Sequence, residues 1–360
     1  MEQRIASLRR RFRSLGVANF LVKRLSNIRW LCGYTGSNGI LLVTGRDAHF
    51  ITDGRYTNQA REQIRGAQVH IYSGGANVAD AFIKELKTNR TIKFRGRIGI
   101  EAPFMTVDFY QLLKRTFPNC GLMETENIIE DLMMRKDESE IKSIRKAVKI
   151  TDEVFKAILP QIKPGAIERD LAAEIIYLSM KSGAQNAFDP IIASGPRSAL
   201  PHGIASDRKI GKNEFVTVDM GCFLDGYPSD MTRTVVVGRA NPKQREIYQL
   251  VHEAQARAIA AVKSGARCSD VDAVARDYIT GAGYGDNFTH GLGHGLSLEV
   301  HGRPTVSKIS KTVLKPGMVV TIEPGIYIDG FGGVRIEDDV LVTENGCEVL
   351  NRTPKDLIEL

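Results

Sequence analysis

Two stretches of this sequence put acidic side chains into runs that otherwise read as the interior of a β-sheet. In "FVTVDMGCFLDGYPSDMTRTVVV", strand alternation sets Thr217 and Asp219 on one face and Val216, Val218 and Met220 on the other. Beyond the Asp225-Gly226 turn region, Asp230, Thr232 and Thr234 share a face of the return strand, so Asp219 and Asp230 can converge. In "MVVTIEPGIYIDGFGGVRIEDDVLV", Glu323 shares a face with Thr321, while Arg335, Glu337 and Asp339 share one across a glycine-rich connection. A carboxylate among valines and isoleucines is costly to bury unless a positive group neutralises it. One such residue would read as an edge position or an ion pair. Four of them in two matching hairpins point to a shared metal site.

Between the hairpins, "HGLGHGLSLEVH" holds three of the seven histidines. His290 and His294 are four apart, but the glutamate of an HExxH motif is missing, and Gly291, Gly293 and Gly295 argue against a zincin-type helix. The glycines instead let backbone pass close to a metal and its substrate. One of the three histidines is expected to be a ligand and the others to face the substrate, together with His202 of "SALPHG". Four carboxylates and one neutral imidazole balance two divalent cations, with a bridging hydroxide as the net excess. Oxygen-rich ligation with one imidazole suits Mn²⁺, Co²⁺ or Zn²⁺ and disfavours copper or an iron–sulfur centre. Two such ions roughly 3.5–4 Å apart can hold the hydroxide and polarise a carbonyl, which makes metal-assisted hydrolysis the expected reaction class.

A chain of 360 residues is long enough for two domains with separate cores. Over residues 1–130, helical patterns such as "VADAFIKELK" and "DFYQLLKRTF" alternate with the β-rich runs "ILLVT", "AHFIT", "QVHIYS" and "RIGIEA", which predicts an α/β domain with a mixed sheet. "CGYTGSNG" and "DGRYT" read as turns within it. A second domain, 131–360, opens with a helix capped by Asp137 and Glu140, on which Ile141, Ile144, Val148, Thr151 and Phe155 fall at helical spacing. That domain repeats itself: "IKPGAIERDLAAE" and "VKSGARCSDVDAVA" align Gly165 with Gly265, Ala166 with Ala266 and Asp170 with Asp270. Such a duplication predicts a pseudo-twofold α+β domain whose halves line one central site.

Charge and composition narrow the partners. The net charge is +7, but basic and acidic residues are interspersed, and the one dense run, "RRRFR" (Arg9 to Arg13), reads as a solvated helix face and not as a nucleic-acid patch. No apolar stretch approaches the roughly 20 residues that span a bilayer. "LGVANFLV" is too short and too interrupted for a secretory core, so a cytoplasmic protein is expected. The five cysteines form no CxxC pair and are expected to be reduced, mostly buried thiols.

"DMGCFLDGYPSDMTRT", "HGLGHGLSLEVH", "TIEPGIY" and "GVRIEDDVLVTENG" resemble the pita-bread metallopeptidases, the family of methionine aminopeptidases, prolidases and Xaa-Pro aminopeptidases. "SGPRSALPHG", "NIRWLCGYTGSNG" and "DGRYTNQA" are similar to its proline-peptidase branch, which carries a creatinase-type N-terminal domain. The resemblance implies an N-terminal creatinase-type α/β domain and a C-terminal pita-bread catalytic domain. It implies metal ligation by Asp219, Asp230, His294, Glu323 and Glu337, with Asp230 and Glu337 bridging two divalent ions, Mn²⁺ foremost. By the same resemblance His202 and His301 stabilise the tetrahedral intermediate and handle the leaving group, and His290 lines the substrate cleft. Glu323 shuttles the proton of the nucleophile, and Tyr327 and Arg335 stand behind the ligands. A homodimer built partly through the N-terminal domain is also implied.

The implied substrates are peptides with proline at the second position, attacked by the bridging hydroxide. "TGSNG" and "TDGRY" are more similar to Xaa-Pro aminopeptidases than to Xaa-Pro dipeptidases, which places the first activity ahead of the second. Non-catalytic relatives of this fold have lost ligands, whereas all five are present here. The sequence departs from the family at Ser297, usually Gly, and at Gly302, usually acidic. That departure bears on how His301 is oriented and not on the ligands.

Overall fold

The computed structural model describes residues 1–72, 77–89 and 96–360; Ser73, the end of the "QVHIYS" run, lies outside them. They divide into two units, Met1–Met133 and Met134–Leu360. The first runs α1 (Glu2–Leu15), β1 (Asn19–Val22), α2 (Leu25–Cys32), β2 (Ile40–Thr44), β3 (Ala48–Asp53), α3 (Thr57–Gln63), β4 (Gln68–Tyr72), α4 (Val78–Thr88), β5 (Ile98–Glu101), α5 (Val107–Thr116), β6 (Leu122–Thr125) and α6 (Ile128–Met133). Its sheet has the order β4-β3-β2-β1-β5-β6 and is mixed: β1–β2 and β2–β3 are antiparallel, the other pairs parallel. Leu21, Ile40, Leu42, Ile51, Ile98 and Ile100 of the sheet pack against Phe82 of α4 and Phe109 and Leu113 of α5. On α1, Ile5, Leu8 and Phe12 are buried while Arg10, Arg11 and Arg13 stay exposed; Arg9, the first of the basic run, is half-buried and donates to Thr44 O at 2.9 Å.

The second unit begins with α7 (Glu138–Ile158), whose N-terminus carries the Asp137–Glu140 capping box, followed by α8 (Glu168–Lys181). Then come β7 (Gln185–Asn186), β8 (Ile191–Ser194), β9 (Glu214–Met220), β10 (Cys222–Leu224), β11 (Tyr227–Pro228) and β12 (Met231–Val237). The second half repeats the plan with α9 (Pro242–Ala261), α10 (Cys268–Gly281), β13 (Gly293–Gly295), β14 (Gly302–Val306) and β15 (Val319–Ile322). It closes with β16 (Gly325–Ile328), β17 (Gly332–Arg335), β18 (Asp338–Val342) and β19 (Cys347–Val349).

The duplication is built from the same backbone parts. Gly165 and Gly265 adopt φ of 85° and 86°, a conformation that favours glycine, and donate their N–H groups to Ile210 O at 2.8 Å and Leu314 O at 3.0 Å. The N–H groups of Ile210 and Leu314 return to the carbonyls of Ala166 and Ala266, both at 2.8 Å. Each motif then opens a 14-residue helix, α8 or α10.

The hairpins are less simple than alternation suggests. β9 and β12 pair with Asp219 opposite Thr232 and Thr217 opposite Thr234. The Asp225-Gly226 turn, however, is the tip of a separate small hairpin, β10–β11, which pairs with β7. The second hairpin splits between two sheets, with β15 on β18 and β16 on β17. Pro324, which has no N–H to give a ladder, lies at the break. Glu323 and Glu337 therefore sit just outside regular strand, at the kink. All five cysteines are free, and among the described residues no helix is long and apolar enough to cross a membrane.

Candidate active site

The acidic faces of the two halves meet through β12 and the segment leading into β18. Thr232 Oγ1 donates to Glu337 Oε2 at 2.6 Å, and the Asp230 N–H donates to Asp339 Oδ2 at 3.0 Å. Asp338, between the two acids, points the other way and forms a buried ion pair with Arg233 at 2.7 Å. Glu337 thus faces the site and Asp339 holds the Asp230 backbone, while Asp338 ties the strands behind it.

Asp219, Asp230, His202, His290, His294, His301, Glu323, Glu337 and Arg335 all line one cavity of about 500 Å³. Tyr327 stands behind them: its hydroxyl lies 2.9 Å from His290 Nε2 and accepts from Arg335 Nη1 at 3.0 Å. One ligand atom each from Asp230, His294 and Glu337 falls within 4.8 Å of the others. His294 Nε2 is 3.5 Å from Asp230 Oδ2 and 3.4 Å from Glu323 Oε1. Asp219 is drawn to Arg335, whose Nη2 donates to its Oδ2 at 2.6 Å, while its Oδ1 is buried with no partner.

The electrostatics follow from burial. Desolvation pushes the carboxyls of Asp230 and Glu337 well above the usual range, and like charges in the cluster add to it. Glu323 rises to about 7, again mainly by burial, although Arg335 opposes the shift. Burial holds His290 and His294 down at about 4, so both are neutral imidazoles. In His290, Nδ1–H donates to Gly291 O at 2.7 Å, which leaves Nε2 to accept from Tyr327. In His294, Nδ1 faces Gly295 O at 3.4 Å, so the Nε2 lone pair is turned to the carboxylates.

This donor set fits divalent metal ions. Three buried carboxylates and the half-buried Glu323 converge with a neutral imidazole nitrogen, one buried carboxylate oxygen has no donor, and Arg335 is the single guanidinium among the lining residues. The threonines do work that sequence reading missed: Thr321 Oγ1 donates to Glu323 Oε1 at 3.0 Å and accepts the His294 N–H at 3.0 Å. Their placement two residues from an acid on the same strand face was the available signal. Asp189 and the apolar Phe188, Ile191 and Ile204 also line the cavity, without any sequence mark that separates them from ordinary loop residues. The Ser297 and Gly302 departures touch each other, because a Cβ on Gly302 would lie 2.9 Å from Ser297 Oγ. His301 packs on His294 with ring centroids 4.6 Å apart.

A duplicated domain with such a cluster at its centre is that of a metal-dependent hydrolase, and sequence comparison agrees. The chain belongs to metallopeptidase family M24, whose pattern matches residues 142–344, and residues 4–134 match the creatinase/prolidase N-terminal domain, as the sequence resemblance implies. It is 40% identical to the Xaa-Pro dipeptidase of Pyrococcus horikoshii over 94% of this chain and 93% of that one. Among solved structures it is similar to an Xaa-Pro dipeptidase from Bacillus anthracis (TM-score 0.94, 41% identity, 99% of both chains). It is also similar to the X-Pro aminopeptidase of Thermotoga maritima (TM-score 0.87, 35% identity, 98% of this chain and 100% of that one).

Proposed function

We propose that this metallopeptidase is an Xaa-Pro dipeptidase that uses two divalent ions. The observation that carries the reading is its near full-length similarity to named Xaa-Pro dipeptidases, at 38–41% identity, from two Pyrococcus species and Bacillus anthracis. This outweighs the likeness of "TGSNG" and "TDGRY" to the aminopeptidases, which is confined to short loops. Asp219, Asp230, His294, Glu323 and Glu337 would hold the ions, with Asp230 and Glu337 shared between them and Mn²⁺ the first choice over Co²⁺ or Zn²⁺. When bound, such ions polarise the scissile carbonyl and acidify water.

The remaining steps belong to the chain. Glu323, which lines the cavity beside His294, takes the proton of the attacking water. His202 and His301, at the cavity wall, donate to the oxyanion of the tetrahedral intermediate and meet the departing prolyl nitrogen. Arg335 and Tyr327 hold Asp219 and His290 in place. The Xaa-Pro bond has no N–H, so recognition rests on ring shape and the free ends of the peptide. The family resemblance carries a cytoplasmic homodimer with this reading. The test is kcat/KM for Xaa-Pro, Xaa-Pro-amide and Xaa-Pro-Yaa with Mn²⁺ present. Cleavage confined to the free dipeptide supports the proposal, and tripeptide cleavage at an equal or higher rate returns the assignment to aminopeptidase.

A further inference from the structure

His202 rides on a loop that has no strand to hold it. β8 is the edge of the β12-β9-β8 sheet, and the chain leaves it at Ser194 to cross the cavity wall before returning near Ser206. In the second half the corresponding exit is secured by backbone pairing: β14 returns along β13, with His294 opposite Thr305 and Gly295 opposite Gly302, and His301 lies inside that bend. The first half lacks such a ladder.

One side chain takes its place. Glu168, the fully buried first residue of α8, accepts through Oε1 from the Ser194 N–H at 2.8 Å and Ser194 Oγ at 2.7 Å. Its Oε2 accepts from the Ser206 N–H at 3.1 Å, from Ser206 Oγ at 2.7 Å and from Arg197 Nη1. Both ends and the middle of the loop therefore close on one carboxylate. Arg197 spends its other nitrogen on Ile204 O at 2.6 Å. Across the loop, Ser198 Oγ accepts the Gly333 N–H at 2.9 Å, in an approach so close that a Cβ on Gly333 would fall 2.4 Å from Ser198 O. Arg335 Nη1 then donates to Pro201 O, next to His202, at 3.2 Å.

The duplication isolates this device. Cys268 occupies the equivalent place in α10: its N–H bonds Thr312 O at 2.9 Å as that of Glu168 bonds Arg208 O at 3.1 Å. A thiol cannot gather five donors. At this position the half with the strand ladder has a thiol, and the half without it has the carboxylate.

We propose that Glu168 is a positioning residue for the reaction, fixing the Ser194–Ser206 loop so that His202 is presented to the cavity. The proposal rests on the reading of His202 as a donor to the transition state. Glu168→Gln keeps the shape but cannot accept two backbone N–H groups, one on each terminal atom, so one end of the loop is released. Displacements near 1 Å cost on the order of 10²-fold in well-oriented sites, and kcat should fall by roughly 10- to 100-fold with KM and metal content unchanged.

The experiment is a double-mutant cycle in the metal-loaded enzyme with Glu168→Gln and His202→Ala. Coupling is expected: the double variant turns over within about twofold of His202→Ala alone. Losses that multiply, with His202→Ala itself slow, would overturn the role of Glu168 and leave the reading of His202 standing. A normal kcat in His202→Ala would remove that reading, and the proposal with it. If Glu168→Gln does not fold, Ser206→Ala, which removes a half-buried hydroxyl, completes the same cycle with a smaller fall in kcat and the same coupling.

Discussion

Replacing Arg335 with methionine should make the catalytic unit depend on metal for its stability. The guanidinium donates to Asp219 Oδ2 (2.6 Å), Tyr327 OH (3.0 Å), Thr232 Oγ1 (3.0 Å) and Pro201 O (3.2 Å). Because Asp219 Oδ1 already has no partner, Arg335→Met leaves that buried carboxylate without a single donor. Breaking a buried ion pair from one side costs about 3–5 kcal/mol. With ions bound, positive charge returns to the carboxylates, and the residual loss is that of neutral hydrogen bonds, about 1–2 kcal/mol. The difference, about 2–3 kcal/mol, corresponds to roughly 4–12 °C at 2–4 °C per kcal/mol for a unit of this size. The assay is thermal unfolding of wild type and variant at pH 8, where protonation gives Asp219 least relief, with chelator and with saturating Mn²⁺. The gap between the two conditions should widen by that amount, and by linkage the folded variant should bind metal more tightly while turning over slowly. An equal loss of Tm in both conditions would refute the argument, because Arg335 would then be a packing residue unconnected with the charge of the cluster.

Two further outcomes are expected. His294→Ala should lose metal first, whereas His301→Ala should keep its metal and lose on the order of 10²-fold in kcat, as removal of a transition-state donor does; elemental analysis beside kinetics separates them, and equal metal content would end the division of roles. In the N-terminal unit, burial pushes the Glu101 carboxyl up to about 7 despite donors from Lys23 N, Arg24 N and Asn27 Nδ2. A raised folded pKa means that the folded state holds a proton the unfolded state has released, so this contribution is complete below about pH 4.5 and is lost as pH rises through about 7. Denaturation between those limits should show a decline, at most about 3 kcal/mol, that Glu101→Gln flattens.

How much of this was legible depended on distance along the chain. Asp219 lies on β9 and Asp230 directly precedes β12, so a short connection brings them together, while Glu323 and Glu337 sit just beyond the ends of their strands, where alternation still indicates the face but not the kink. The Gly165/Gly265 match was readable because a positive φ demands the same residue in both copies. The β10–β11 insertion and the break at Pro324 escaped because they depend on which sheet each short strand joins, and neighbouring residues do not carry that information. Glu168 escaped for a related reason. Its donors lie 26 to 38 residues away, and at the start of a helix a glutamate reads as an ordinary favourable charge. The Ser297 and Gly302 departures were visible as separate oddities, and only the structure shows them to be neighbours, with Ser297 Oγ 2.9 Å from where a Cβ on residue 302 would stand.

The central claim, that Asp219, Asp230, His294, Glu323 and Glu337 form a dinuclear centre on which peptide cleavage depends, is tested most directly by metal analysis and turnover on the same samples. Wild-type protein, Asp230→Asn and Glu337→Gln are each stripped with chelator, titrated with Mn²⁺ and assayed on an Xaa-Pro dipeptide after every addition. The account predicts that wild type is inactive when stripped and regains turnover as it approaches two ions per chain, while either variant binds less and stays inactive. Full activity in stripped wild type, or two tightly held ions with near-normal turnover in either variant, would contradict it.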